Sequence, residues 1–238
     1  MEVNCVWLGQ GSFLFESGNT RLVVDPFLSD VVEQREGFKR LMDAPLTIEE
    51  LKPDYILITH NHIDHFDPVA LPEIHDFYPK VPILGPTSVM RLANEMGFNQ
   101  EVLQALEVTE HLPLGDFNVT ITPAFHSDPF SIGCLLNAAS KTIYHTADTI
   151  FNQSLVAEVK RLSGKKIDSL LTCINGRLGN MNWEEAAQLA GQLGVEKAFP
   201  MHYGMFAENT EDPVKFINEC NRLGIQSAEL IPGKKTIL

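Results

Sequence analysis

The sequence predicts an α/β sandwich in which two similar halves, each a sheet with helices on its outer side, pack sheet against sheet. Three observations carry this. Short apolar runs bounded by turn signals recur in each half, strand and helix patterns alternate after them, and no stretch rich in Pro, Gly or Ser separates the halves. The 238 residues therefore read as one domain, 1–238, long enough to bury a sizeable core. With 44% hydrophobic and 21% charged residues, the composition excludes disorder as the main state.

The elements follow in order. Residues 3–8, 12–16 and 20–25 read as strands separated by Gly9-Gln10-Gly11 and Ser17-Gly18-Asn19, with Asp25-Pro26 ending the third. Residues 31–50 are polar and weakly periodic, fitting a surface insertion or short helices, and Thr47-Ile48-Glu49-Glu50 is a helix start. The apolar run 55–58 fits a strand buried on both faces. A short helix over 69–77, despite Pro72, leads to a strand at 81–84 and a helix at 86–96 that Gly97 stops. The second half gives strands at 117–123, 131–137 and 142–146, a helix at 154–162, and a strand at 169–174. A helix at 183–193 ending at Gly194, a strand at 198–201 and a helix at 214–223 ending at Gly224 complete it.

Charge and cysteine usage narrow the function. Lys and Arg number 18 against 31 Asp and Glu, a formal net charge of −13, which disfavours a nucleic-acid partner because phosphate backbones are bound by clustered cations. The N-terminal stretch has no basic region and its apolar run is broken by glycines, unlike a signal peptide. No apolar run approaches the roughly 18–20 residues that cross a bilayer, so no membrane partner and a cytoplasmic location are expected. Cys5, Cys134, Cys173 and Cys220 are far apart with no C-x-x-C pair, and read as small buried apolar residues. Nothing marks an interface strip, and a homo-oligomer stays open.

The chemistry is concentrated in Thr59-His60-Asn61-His62-Ile63-Asp64-His65-Phe66-Asp67, just after the 55–58 strand. Three imidazoles and two carboxylates offer borderline nitrogen and hard oxygen ligands without thiolates, which suits Zn, Mn or Fe. Burying so many titratable groups with no cation would be costly. His60 and His62 can reach one ion from an extended segment, and Asp64 and His65, on the next turn, a second.

This segment resembles the signature of the metallo-β-lactamase superfamily of metal-dependent hydrolases. The resemblance covers essentially the whole chain, and implies a four-layer αβ/βα sandwich with a dinuclear site between the sheets. It assigns His126 in Phe125-His126-Ser127-Asp128, Asp148 in Thr146-Ala147-Asp148-Thr149, and His202 in Met201-His202-Tyr203 as further ligands. One divalent ion is then expected on His60, His62 and His126, and the other on Asp64, His65 and His202, with Asp148 spanning both. The family usually carries Gly-Asp where this chain has Ala147-Asp148. The Trp7-to-Phe13 and Val24-Asp25-Pro26 segments are similar to the subgroup containing L-ascorbate-6-phosphate lactonase.

The resemblance implies hydrolysis by a metal-bridging hydroxide of a small, anionic substrate such as a phosphorylated sugar lactone or a related ester. A phosphodiesterase of the same fold, or a metal-stabilised sensor without turnover, are the competing readings. Asp64 is expected both to hold metal and to carry a proton. Asp67 either supports a ligating histidine or caps the helix ahead of Pro68. Asn175 and Arg177, on a rim loop, and Tyr203, beside a ligand, are substrate-binding candidates. Arg177 is either a forked anion clamp or an ordinary exposed arginine, and Tyr203 either an oxyanion donor or packing. His75, His111 and His145 are expected to be structural or solvent-facing.

Overall fold

The computed structural model describes residues 2–238. In chain order the first half contains β1 (Val3–Gly9), β2 (Ser12–Ser17), β3 (Thr20–Val24), α1 (Val31–Glu36), α2 (Ile48–Leu51), β4 (Tyr55–Leu57), α3 (Ala70–Phe77), β5 (Ile83–Gly85), α4 (Thr87–Glu95) and β6 (Leu103–Ala105). The second contains β7 (His111–Leu114), β8 (Phe117–Pro123), β9 (Ile132–Ala138), β10 (Lys141–His145), α5 (Gln153–Ser163), β11 (Ser169–Cys173), α6 (Trp183–Leu193), β12 (Lys197–Met201), α7 (Pro213–Arg222), β13 (Gln226–Ser227) and β14 (Lys235–Ile237).

Two seven-stranded sheets result, ordered β14-β1-β2-β3-β4-β5-β6 and β13-β12-β11-β10-β9-β8-β7. Each opens with antiparallel neighbours joined by short turns and continues in parallel strands linked through helices, as alternating apolar runs and helix patterns require. Strand periodicity sorts the first sheet's side chains. Val3, Cys5, Trp7, Phe13, Phe15, Leu22 and Val24 join one apolar cluster with the second sheet. Val6, Leu8, Leu14 and Val23 face the other way, into a cluster with Leu71 and Ile74 of α3 and Val89 of α4. The predicted sandwich is thus the observed fold.

Four strands escaped the sequence reading. β7 contains Pro113, which demotes a run to an edge position, and β7 is an edge strand. β6 is partly exposed and β13 has two residues, so neither carries a period. β14 pairs only with β1, a contact across the length of the chain. The 31–50 segment forms α1 and α2, and Thr47 and Glu50 close a capping box at the expected start. Among the described residues no helix is long and apolar enough to cross a membrane. All four cysteines are buried and free.

Candidate metal centre

Strand direction places the site. β1, β3 and β4 run one way in the first sheet, and β8, β10, β11 and β12 run one way in the second. The loops leaving their C-terminal ends carry, in turn, Gln10, Asp25, the 59–67 segment, His126, Asp148, Asn180 and His202. Both sheets therefore deliver polar side chains to the same edge.

Three ring nitrogens converge there. His60 Nε2 lies 3.2 Å from His62 Nδ1, which lies 3.1 Å from His126 Nε2. Atoms about 2.1 Å from one tetrahedral ion are about 3.4 Å apart, so this is the spacing of a shared cation's ligands. His202 Nε2 lies 3.3 Å and His65 Nε2 3.8 Å from Asp64 Oδ2. Asp148 reaches both groups, with Oδ1 3.5 Å from His65 Nε2 and Oδ2 3.1 Å from His202 Nε2 and 3.9 Å from His126 Nε2. The seven side chains named from the sequence are thus brought together.

The outer hydrogen bonds fix which ring nitrogens hold protons. His126 Nδ1 donates to the Gly179 carbonyl at 3.0 Å, and His65 Nδ1 donates to Asp25 Oδ2 at 2.7 Å. The Thr59 hydroxyl donates to Asp25 Oδ2 at 2.7 Å, so His60 Nδ1 donates to Thr59 Oγ1 at 2.9 Å. His62 Nε2 is held by Ser127 Oγ at 3.0 Å. These bonds turn the lone pairs of His60, His65 and His126 inward, toward His62 Nδ1 and the carboxylates, where a shared cation would relieve their repulsion. His65 Nε2 and Asp148 Oδ1 are moreover buried without a hydrogen-bond partner. The donor set of nitrogens and carboxylate oxygens fits divalent Zn, Mn or Fe.

The electrostatics differ between the two groups. Burial, together with neighbouring imidazoles, holds His60 and His62 below the usual histidine range, so both stay neutral as ligands must. Burial also opposes a charge on His65 and His202, yet the facing carboxylates outweigh it, raising His65 well above its ordinary value and His202 to about 9. The same imidazoles hold Asp64 and Asp148 below the carboxylate range despite their burial. The carboxylate-rich half of the centre therefore favours positive charge.

Several candidates take other roles. Asp67 bonds no histidine, so of its two readings the cap is the one observed and the catalytic one, as support of a ligating histidine, is not. Its carboxylate accepts from the backbone N–H groups of Val69 and Ala70, capping the turn that enters α3, and from Leu28 N, Ser29 N and Ser29 Oγ. Asn175 is also corrected. It is buried and donates to Asn209 Oδ1 at 2.7 Å, while its own Oδ1 accepts from Asn180. Tyr203 stacks on Trp7 with ring centroids 4.9 Å apart, in the core and outside the cleft lining, the packing arrangement of its two readings. Arg177 is exposed, near Glu211, and is likewise outside the cleft lining. His145 is buried, donating to Gly11 O and accepting from Ala147 N, and it braces the turn before Asp148.

Three supporting residues were missed. Asp25 orients His65 directly and His60 through Thr59. Gln10 donates to Asp64 Oδ2 at 2.9 Å, and Asn180 donates to Asp148 Oδ2 at 2.8 Å. Asp25-Pro26 after a strand was the only local signal for any of them. Ala147 adopts φ +55°, a left-handed conformation that glycine takes without strain, just before Asp148. A cleft of about 420 Å³ opens beside the centre and includes His62, Asp64 and Asn209 in its wall.

Comparison with known proteins agrees with this geometry. The family described as the beta-lactamase superfamily domain matches residues 20–203, and the chain belongs to that superfamily. A UPF0173 protein of Pyrococcus furiosus is 31% identical over 91% of this chain and 90% of its own. A UPF0173 metal-dependent hydrolase of Carboxydothermus hydrogenoformans is 27% identical over 98% of each chain. Among solved structures, Igni18, a metallo hydrolase from Ignicoccus hospitalis, superposes with a TM-score of 0.81 at 20% identity, covering 100% of this chain and 99% of the other. That likeness speaks for the fold.

Proposed function

We propose that the protein is a two-ion metallohydrolase that opens lactones or cleaves small carboxylic esters. The observation that carries the reading is the convergence of ring nitrogens from His60, His62 and His126 beside the Asp64–His65–His202 group, with Asp148 reaching both. Relatives named metal-dependent hydrolases support it. Two divalent ions held there would supply hydroxide near neutral pH and polarise a substrate carbonyl. The chain's own groups do the rest. His60, His62, His126, His65 and His202 would hold the ions, with the His60, His65 and His126 rings oriented by their outer hydrogen bonds. Asp64 is the carboxylate of the cluster that lines the cleft, and Gln10 fixes its Oδ2. In this reading it takes the proton of the attacking water and returns it to the departing oxygen as the ester C–O bond breaks. Four buried free thiols accord with a reducing cytosolic location, and the acidic surface with a diffusible small substrate.

The test is metal analysis of the reconstituted full chain, followed by a panel of lactones, carboxylic esters and phosphodiesters. Two ions per chain are expected, with lactone or ester turnover that His62→Ala abolishes. One ion per chain after reconstitution sinks the two-ion site. Turnover of phosphodiesters alone makes the protein a phosphodiesterase, and two ions without any turnover make it a sensor.

A further inference from the structure

Besides the two large apolar clusters, the fold builds a small third one from Phe27, Val31, Val32, Met205 and Phe206, with Phe38 and Ile63 packed on it. It joins α1 to the 205–206 segment beside the cleft at the metal centre. Phe206 lies 6.1 Å from Phe27 and 6.3 Å from Phe38 between ring centroids. Val32, Phe38, Ile63 and Phe206 continue directly into the wall of the cleft that holds His62 and Asp64.

Leu178 completes that wall and is 68% exposed. It has φ +52°, between Gly176 and Gly179, in a region that disfavours leucine. Gly179 in turn accepts the His126 Nδ1–H bond, so the loop that fixes a metal-facing histidine also holds an apolar side chain in water. Strain at a site with solvent-facing leucine asks for an apolar ligand.

Charge agrees. Among the described residues, Arg35 is the one cation in the cleft lining, and Glu36 and Asp64 share that lining. Arg40 is held elsewhere, donating to the carbonyls of Met42 and Ser29 over the Phe27 ring. No forked arginine pair is offered to a phosphate dianion.

We propose that this cleft is an acyl pocket, and that the substrate is a carboxylic ester or lactone carrying an uncharged alkyl or aryl group, in place of a phosphorylated sugar. The proposal rests on the hydrolase reading for its chemistry, but the pocket can be tested without turnover. The probe is the straight-chain carboxylate series from acetate to octanoate, the product class, titrated calorimetrically into the metal-loaded full chain. Affinity should rise about fourfold per methylene until the cleft is filled. Leu178→Asn, at an exposed position whose backbone asparagine tolerates, should weaken octanoate about tenfold more than acetate. An affinity independent of chain length, or glucose 6-phosphate binding more tightly than octanoate, overturns the pocket. Chain-length dependence with no ester turnover would sink the hydrolase reading and keep the pocket. Turnover of short esters with flat binding would do the reverse.

Discussion

Asp25 touches no metal-facing atom, yet it governs one ligand from each half of the centre. Its Oδ2 accepts both the His65 Nδ1 proton and the Thr59 hydroxyl proton, each at 2.7 Å, and its Oδ1 accepts Thr59 N at 2.7 Å. The site is fully buried. In Asp25→Asn, one oxygen becomes an NH₂. If the amide oxygen stays toward His65, the NH₂ confronts the Thr59 N–H; if it flips, the NH₂ confronts the His65 N–H and the Thr59 hydroxyl. Either way a buried donor loses its acceptor, costing about 1–3 kcal/mol, or roughly 2–10 °C in Tm for a chain of this size. The specific effect is on the metal. Loss of a carboxylate behind a ligating histidine weakens binding about 10–100-fold, equivalent to about 1.4–2.7 kcal/mol. Competition with a chromophoric chelator measures this. Asp67→Asn is the control, since Asp67 is equally buried but caps α3 and bonds no ligand. Its Tm should fall comparably while metal affinity stays within about twofold. Equal weakening in both variants, or full affinity in Asp25→Asn, refutes the argument.

Three further outcomes are expected. A Cβ at Gly11 would lie 2.7 Å from His65 Cε1 and 3.2 Å from its Nδ1, so Gly11→Ala should displace the ring and lower metal affinity at least about tenfold; unchanged affinity would show the turn yields instead. Ala147→Gly should release a left-handed alanine worth about 1–2 kcal/mol, offset by about 0.4–1 of unfolded-chain entropy, and raise Tm by about 1–3 °C in a thermal melt, whereas a fall would mean no strain is held there. Burial pushes the Cys5, Cys173 and Cys220 thiols from near 9 up to about 12 and Cys134 in the same direction. Raised folded values mean that this stability is complete below pH 9 and is lost as pH climbs toward 12, by about 1.4 kcal/mol per pH unit per thiol; urea midpoints that stay flat from pH 8 to 10.5 would contradict it.

The seven clustered side chains could be named from the sequence because four of them sit in one eight-residue run. The remaining three each follow a strand in the order that the family resemblance supplies. Their supports could not be named in this way. Gln10 reaches Asp64 across 54 positions, and Asp25 reaches His65 across 40. Either residue reads locally as part of a turn. Asp67 misled for the complementary reason: a carboxylate two residues from His65 looks like a partner until Pro68 and the α3 N–H groups claim it. The rim loop that carries Arg177 does reach the cleft, but through Leu178, and the rest of the wall comes from α1, Phe38, the 61–64 segment, Phe206 and Asn209, parts of which have weak local periodicity.

Backbone conformation ties these observations together. Among the described residues nine non-glycine residues have positive φ, and Gln10, Asp25, Ala147, Leu178 and His202 among them lie on loops at the centre. Each such residue costs about 1–2 kcal/mol, against a net stability of about 5–15 kcal/mol for a whole domain. They occur where a chain leaving a strand must turn sharply so that the next side chain meets the opposite sheet's ligands. The apolar cluster between the sheets and the buried hydrogen bonds of Asp25 and His145 hold these turns at one edge. An ion that binds the folded chain alone adds stability as RT ln(1 + [M]/Kd), about 4 kcal/mol at a thousandfold excess over Kd. Metal occupancy therefore offsets the strain of these loops, and a substitution that relieves strain present with and without metal, as Ala147→Gly should, raises the stability of both states and leaves metal affinity unchanged when it preserves the ligand geometry.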